Sequence, residues 1–216
     1  MMYNETNIPK WQRELEAFIG IKSTFIIEGN INDTYPRFLT RDGVIAINGF
    51  VNLNHILYQL YASTSTDVEY EMLYCDPING FYNPVIITDL KPLMNEFSHS
   101  GKIKFSAYDN EILHQHYKTN DLLSMSEIIK NALTSGRNHL ENKKPVAIVM
   151  NFASRYTSSP SQLTEAEMTM FLNLLYTSLN VNRINRLRNV MILVTEKTND
   201  IPSWFFLNNP NVKIIS

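Results

Sequence analysis

The stretch PVAIVMNFASRY, residues Pro145 to Tyr156, decides how the chain is read. Five apolar residues in a row, Val146 to Met150, carry no polar alternation, so both faces of such a strand must be covered. The run stops at Asn151, where a strand would leave its sheet. Upstream, Leu122, Leu123, Met125, Ile128, Ile129 and Leu133 form one helical face running towards Glu141, with Ser124 or Ser126 as its expected cap. Downstream, Thr164 stands three residues before Glu167, the reciprocal capping arrangement, and an apolar pattern of helical period continues to Leu179. NVMILVT then reads as a strand, DIPSWFFLNNP as a turn with a short helix, and NVKIIS as one more strand. Helices alternating with nearly unbroken apolar strands predict a parallel sheet between helix layers, an α/β, three-layer, doubly wound fold.

The first half supplies the rest of that sheet. Ile8, Trp11, Leu15, Phe18 and Ile19 mark an amphipathic helix that Gly20 ends, and STFIIEG is a short strand stopped by Gly29. Two apolar runs around Arg41-Asp42-Gly43 predict a hairpin. Phe50 to Tyr61 has helical spacing, and YEMLYC is a strand closed by Asp-Pro and Asn-Gly turn signals. We expect an N-terminal helix over 1–22 and one α/β domain over 23–216, interrupted by an insertion at about 77–120. Within the insertion the sequence predicts only an apolar run at Val85 to Ile87, a short helix from Pro92 to Phe97 and a strand at KIKFSAY. Ile214-Ile215-Ser216 ends on an apolar strand without a stop signal, as expected of the front part of a longer protein.

Composition narrows the function classes. The 216 residues are 44% hydrophobic and 19% charged, with net charge -2, so a large core is expected and no global field gathers nucleic acid or anionic lipid. One cysteine rules out an internal disulfide, and the start has neither the basic nor the apolar part of a signal peptide. No run of about 18 apolar residues is present, and the expected location is cytoplasmic. Seven glycines among 216 residues is about half the usual share, a scarcity that matters because phosphate-cradling loops are built from glycine.

KPVAIVMNFASRYTSSPSQLTEAEMTMFLNLLYTSL followed by RNVMILVTEKTNDIPSWFFLNNPNVKIIS resembles the core of AAA+ ATPases. In that family a strand bearing the Walker B acids, a helix, a sensor strand and a last core strand follow in this order. The phrasing is similar to bacterial AAA+ proteins with DLPxWFxxNNPxVR-like text after the sensor strand. The resemblance covers about residues 121 to 216 and, more loosely, FIIEGNINDTYP. It implies a P-loop NTPase-type core and, in those relatives, a second AAA+ module downstream.

The departures from the family pattern are as informative. The phosphate loop G-x-x-x-x-G-K-[ST] would follow the first strand, but that loop reads GNINDTYP, with Gly29 and neither a second glycine nor a lysine. Gly101-Lys102 has Glu96 at the first glycine and Ile103 at the hydroxyl position, a coincidence. The Walker B Asp and Glu correspond to Asn151 and Phe152, so magnesium loses a carboxylate and water its base. KTNDIPSWFFLNNPN holds no arginine finger. Three parts of phosphoryl transfer are missing together. The candidates for any nucleotide contact that survives are Gly29, Asn30, Asn151, Thr195 and Asn199; no catalytic residue and no metal ligand is assigned.

Other chemistry has plain competitors. His114, His116, His99, Asp109 and Glu111 offer metal-ligating types without a third ligand fixed by spacing. Asp76 after a strand could bind a ribose or simply start a turn before Pro77. Cys75 reads as a small buried hydrophobe. Arg183, Arg186, Arg188, Lys143 and Lys144 could form a nucleic-acid patch or complement helix ends. Trp204, Phe205 and Phe206 are either core or an exposed partner site.

The expectation is a catalytically inactive AAA+-like N-terminal domain with a regulatory, assembly or partner-binding role. It needs no cofactor in this chain, with ATP and Mg2+ belonging to an ATPase module in the full-length protein. Protein partners, including a homo-oligomer, are expected; membrane and nucleic acid are not. The alternatives are a non-hydrolysing nucleotide sensor and a small-molecule enzyme using Asp76 or Asp33 on the same scaffold.

Overall fold

The computed structural model describes residues 8–41, 44–62, 69–99, 102–110, 114–135, 143–184 and 186–216. In chain order the elements are α1 (Lys10–Phe18), β1 (Thr24–Glu28), β2 (Thr34–Arg41), β3 (Val44–Asn52), α2 (Leu53–Ala62), β4 (Glu71–Asp76), β5 (Gly80–Tyr82), α3 (Lys91–Phe97), β6 (Phe105–Asn110), β7 (His114–Thr119), α4 (Leu122–Thr134), β8 (Val146–Met150), α5 (Glu165–Leu179), β9 (Arg183–Ile184), β10 (Leu187–Arg188), β11 (Val190–Thr195), α6 (Ser203–Phe206) and β12 (Val212–Ile215).

Among the described residues eight strands form one sheet in the order β12-β1-β11-β8-β4-β5-β7-β6. From β12 to β4 every pair is parallel, and β5, β7 and β6 extend the sheet antiparallel. All five residues of β8 and all six of β11 are buried, as strands covered on both faces require. Alternate side chains of the parallel strands enter two separate cores. Ile26, Leu73, Ile148 and Leu193 pack with α3, α4, α5 and Phe205 of α6. Phe25, Met72, Val149 and Ile192 pack with Leu15 of α1 and with Leu53, Ile56, Leu57 and Tyr61 of α2. The result is the expected three-layer, mostly parallel α/β sandwich.

Local chemistry fixes the ends. Thr164 and Glu167 form the expected reciprocal cap at the start of α5. For α4 the cap is Asp121, whose carboxylate accepts from the Ser124 backbone N–H at 2.7 Å, and neither Ser124 nor Ser126 plays that part. A residue just before the first helical turn can reach an N3 amide, whereas Ser124 is itself at N3. Residues 136–142, towards which α4 was expected to run, lie outside those described; the helix itself closes at Thr134.

The antiparallel edge was only partly legible. Val85–Ile87 forms no strand, and KIKFSAY contributes β6. β5 and β7 leave little trace in the sequence, because one is three residues long and the other, HQHYKT, is mostly polar. β5 depends on Gly80: φ is +72°, and a Cβ there would sit 2.3 Å from the Tyr117 carbonyl oxygen.

The expected hairpin is β2–β3, paired antiparallel as a separate ribbon; its Asp42-Gly43 turn lies outside the described residues. Tyr35 at its base packs edge-on against Trp11 of α1, with ring centres 5.1 Å apart.

Candidate functional site

The parallel strands all point the same way, so the residues at their carboxyl ends share one edge. Glu28 lies level with Thr195, and Cys75 level with Met150. Beside β1 the chain's course reverses, since one neighbour, β11, and the other, β12, are both reached only after it has gone out to β4. Such switch points are where open α/β sheets bind ligands. A crevice of about 190 Å³ lies there, lined by Asn32, Asn52, Asn54, Tyr82, Asn151 and Phe152, with Ile31, Leu53 and Val194.

α2 follows β1 in the chain and therefore holds the place of the phosphate-binding helix in a P-loop protein. Two features alter its amino end. The whole β2–β3 hairpin is inserted between β1 and α2. Asn52, the last residue of that hairpin, turns its side-chain oxygen onto the helix, where it accepts from the His55 backbone N–H at 3.1 Å, with the His55 ring Nδ1 at 2.8 Å. The helix end that would receive a phosphate is thus capped from within.

Gly29 does not leave its amide free either. Its N–H donates to the Thr195 carbonyl at 3.3 Å, and its own carbonyl accepts from Ile31 N–H at 2.9 Å, a tight turn back towards the sheet. The glycine is needed for its φ of +131°, since the space beside it is open.

The two residues that follow β8 serve the structure in different ways. Asn151 is 7% exposed, and its side-chain amide donates to the Tyr82 hydroxyl at 3.1 Å. Tyr82 reaches it from β5, the first antiparallel strand. Burial pushes the Tyr82 phenol far above its usual range, with the Asn151 contact working the other way. Phe152 sits in the left-handed region, φ 53° and ψ 43°, 37% exposed at the crevice mouth, which for a bulky residue costs on the order of 1–2 kcal/mol.

Of the five candidates Gly29, Asn30, Asn151, Thr195 and Asn199, only Asn151 lines the crevice. The Asn30 amide donates to the Asp33 carboxylate, and its carbonyl accepts from the Tyr35 hydroxyl at 2.6 Å. Thr195 is fully buried and its hydroxyl donates to the Lys197 carbonyl at 3.1 Å. Asn199 is exposed on the short 3-10 turn Thr198–Asp200. Sequence reasoning missed Asn32, Asn52, Asn54 and Tyr82. Asn52 alone carried a signal, an N-cap residue immediately before the apolar helical stretch that begins at Leu53.

The competing chemistries resolve towards structure. Both Asp76 oxygens are taken by its turn: Oδ1 accepts from Ile78 and Asn79 N–H at 2.8 and 2.7 Å, and Oδ2 from the Asn79 amide at 2.9 Å. Cys75 is fully buried and burial drives its thiol well above the ordinary range, the opposite of a reactive cysteine. Glu111 lies outside the described residues, as do the side chains of Asp109 and His114; His116 packs edge-on against Tyr108 and His99 is exposed. Among the described residues no group of three or more His, Cys, Asp or Glu could hold a metal ion.

Lys143 pairs with Glu96 at 3.0 Å, Lys144 pairs with Glu69, and the Arg188 guanidinium donates to Asn211 at 3.4 Å. The aromatic trio divides, with Phe205 in the core, Phe206 half-buried and Trp204 37% exposed.

Among the described residues the crevice is lined by amides, one phenol and apolar groups, with no cation for a triphosphate, no carboxylate for magnesium and no base for water. Among the described residues no helix is long and apolar enough to cross a membrane. Residues 4–216 match the family model described as AAA+ chaperone, N-terminal Rossmann-like domain. Neither the curated proteins nor the solved structures compared with the chain contain a match.

Proposed function

The chain belongs to the family of AAA+ chaperone N-terminal Rossmann-like domains, and from this we propose that it is a non-hydrolysing module of a larger AAA+ protein, serving regulation, assembly or partner binding beside a competent ATPase module. The observation that carries this reading is the amino end of α2, where Asn52 caps the helix and the β2–β3 ribbon takes the place of a phosphate loop. Restoring chemistry would require a new loop, a lysine and two acids, since catalysis of phosphoryl transfer consists of positioning and charge stabilisation by those groups. The buried Asn151–Tyr82 pair supports the same conclusion, because it spends on structure the position where a magnesium-binding acid would stand.

The test is a phosphate-release assay on the chain with ATP and magnesium, alongside Asn151→Ala. The reading expects no rate above the buffer background for either protein. A magnesium-dependent rate that Asn151→Ala abolishes overturns it.

A further inference from the structure

We propose that Asn48 is a site of spontaneous modification, where the folded chain converts this asparagine to aspartate and isoaspartate with water as the only co-reactant. The tetrapeptide Ile-Asn-Gly-Phe occurs twice, from Ile47 to Phe50 and from Ile78 to Phe81. Asparagine before glycine is open to this chemistry because glycine has no side chain to crowd its backbone nitrogen. The two copies are identical in local sequence, so a difference between them must come from the fold.

The first copy sits in a bulge of the β2–β3 ribbon. Pro36 lies level with Phe50 and Phe38 with Ile47, so Arg37 alone faces both Asn48 and Gly49. A bulge leaves its extra residue out of the ladder and bends the strand. Asn48 and Gly49 are both exposed. Gly49 has a φ of +98°, and a Cβ built on it would meet nothing within 4 Å. Among the described residues the Asn48 side chain has no hydrogen-bond partner. Nothing there holds the carboxamide away from the backbone nitrogen that follows it.

The second copy is held at both residues. The Asn79 side-chain amide donates to the Asp76 carboxylate at 2.9 Å, and its backbone N–H donates to the same carboxylate at 2.7 Å. Gly80 is buried in β5, level with Asp76. It lies so close to β7 that a Cβ would stand 2.8 Å from the Lys118 Cα.

The reaction is a ring closure followed by hydrolysis. The Gly49 nitrogen attacks the side-chain carbonyl carbon of Asn48 and a C–N bond forms. The side-chain nitrogen leaves as ammonia, carrying the proton of the backbone N–H. Water then opens the cyclic imide at either carbonyl, giving aspartate or isoaspartate. The sum is asparagine and water to acid and ammonia, without any change of oxidation state. Either product puts a carboxylate opposite Arg37. The isoaspartyl form also adds a carbon to the main chain of β3, at the point where the ribbon already shifts register. The inference is independent of whether the crevice binds nucleotide.

The test is peptide mapping of the folded 216-residue chain after incubation in mildly alkaline buffer. Cleavage after Glu28, Glu69, Glu71 and Glu96 puts Asn48 and Asn79 on separate peptides, and each is read by mass for conversion of an amide to an acid. A hydrogen bond to a charged group is worth about 1.5–3 kcal/mol, and closing the ring at Asn79 must break one. Asn48 is therefore expected to convert at least about tenfold faster, a barrier difference of about 1.4 kcal/mol. In the urea-unfolded chain the two rates are expected to converge. Asn79 converting as fast as Asn48 in the folded chain, or a difference that survives unfolding, overturns the proposal.

Discussion

The side-chain amide of Asn151 donates to the hydroxyl of Tyr82 at 3.1 Å, joining the end of the central strand β8 to β5, 69 residues earlier in the chain. Both side chains are buried. Tyr82→Phe strips the amide of its partner without leaving a large cavity, and an unsatisfied buried donor costs about 1–3 kcal/mol. A lower melting temperature with an unaltered far-ultraviolet spectrum is expected. A melt equal to that of the parent chain would show the contact to be energetically empty.

The cap on α2 gives a second expectation. Asn52→Ala removes the acceptor for the His55 N–H, a loss of about 1 kcal/mol for an N-cap. Uncapping the helix is not expected to create phosphate affinity, because the loop supplies neither lysine nor a second glycine. Denaturant unfolding measures the first part and phosphate titration the second.

Asn189 is a buried junction. Its Oδ1 accepts from Val146 N–H at 2.9 Å, and its Nδ2 donates to the Leu133 carbonyl at 2.9 Å, so one fully buried side chain joins the start of β8 to the last turn of α4. Asn189→Ala orphans the Val146 N–H, while the Leu133 carbonyl keeps the Asn182 N–H at 2.9 Å, and is expected to cost about 2 kcal/mol. Asn189→Asp keeps the acceptor but buries a carboxylate against the Leu133 carbonyl, so chemical denaturation should show it at least as destabilised as Asn189→Ala.

Glu167 supplies a pH dependence. Its carboxylate accepts from the backbone N–H groups of Thr164 and Ser158 at 2.7 and 2.9 Å, and these bonds, that of Thr164 first, hold its pKa below the ordinary carboxylate value. A pKa depressed on folding adds stability that is complete above the unfolded value and is lost as pH falls through the folded one. Melting temperature should therefore decline as pH drops below the usual glutamate range near 4.5, and the decline should be shallower in Glu167→Gln. Equal slopes would remove Glu167 from the account.

The parts of this fold that depend on contiguous sequence were legible. Val146 to Met150 and Val190 to Thr195 are apolar throughout because they are covered on both faces, and Thr164-x-x-Glu167 is a cap that needs no distant partner. The antiparallel edge was only partly legible: KIKFSAY signals β6, whereas β5 is three residues held by a turn around Asp76 and by the close approach of Gly80 to Tyr117. The site was half legible. Absent lysines and acids can be seen in a string of letters, whereas the Asn52 cap on α2 and the Asn151–Tyr82 pair exist only once the strands are aligned.

The central claim, that the edge of the sheet used by nucleotide-binding relatives is closed to phosphates here, is tested most directly by calorimetric titration of the chain with ATP, with and without magnesium. Protein concentrations should be able to detect a dissociation constant of about 100 μM, about 5.5 kcal/mol. No saturable heat is predicted in either condition. Saturable binding that Asn151→Ala weakens would contradict the account and make the domain a nucleotide sensor.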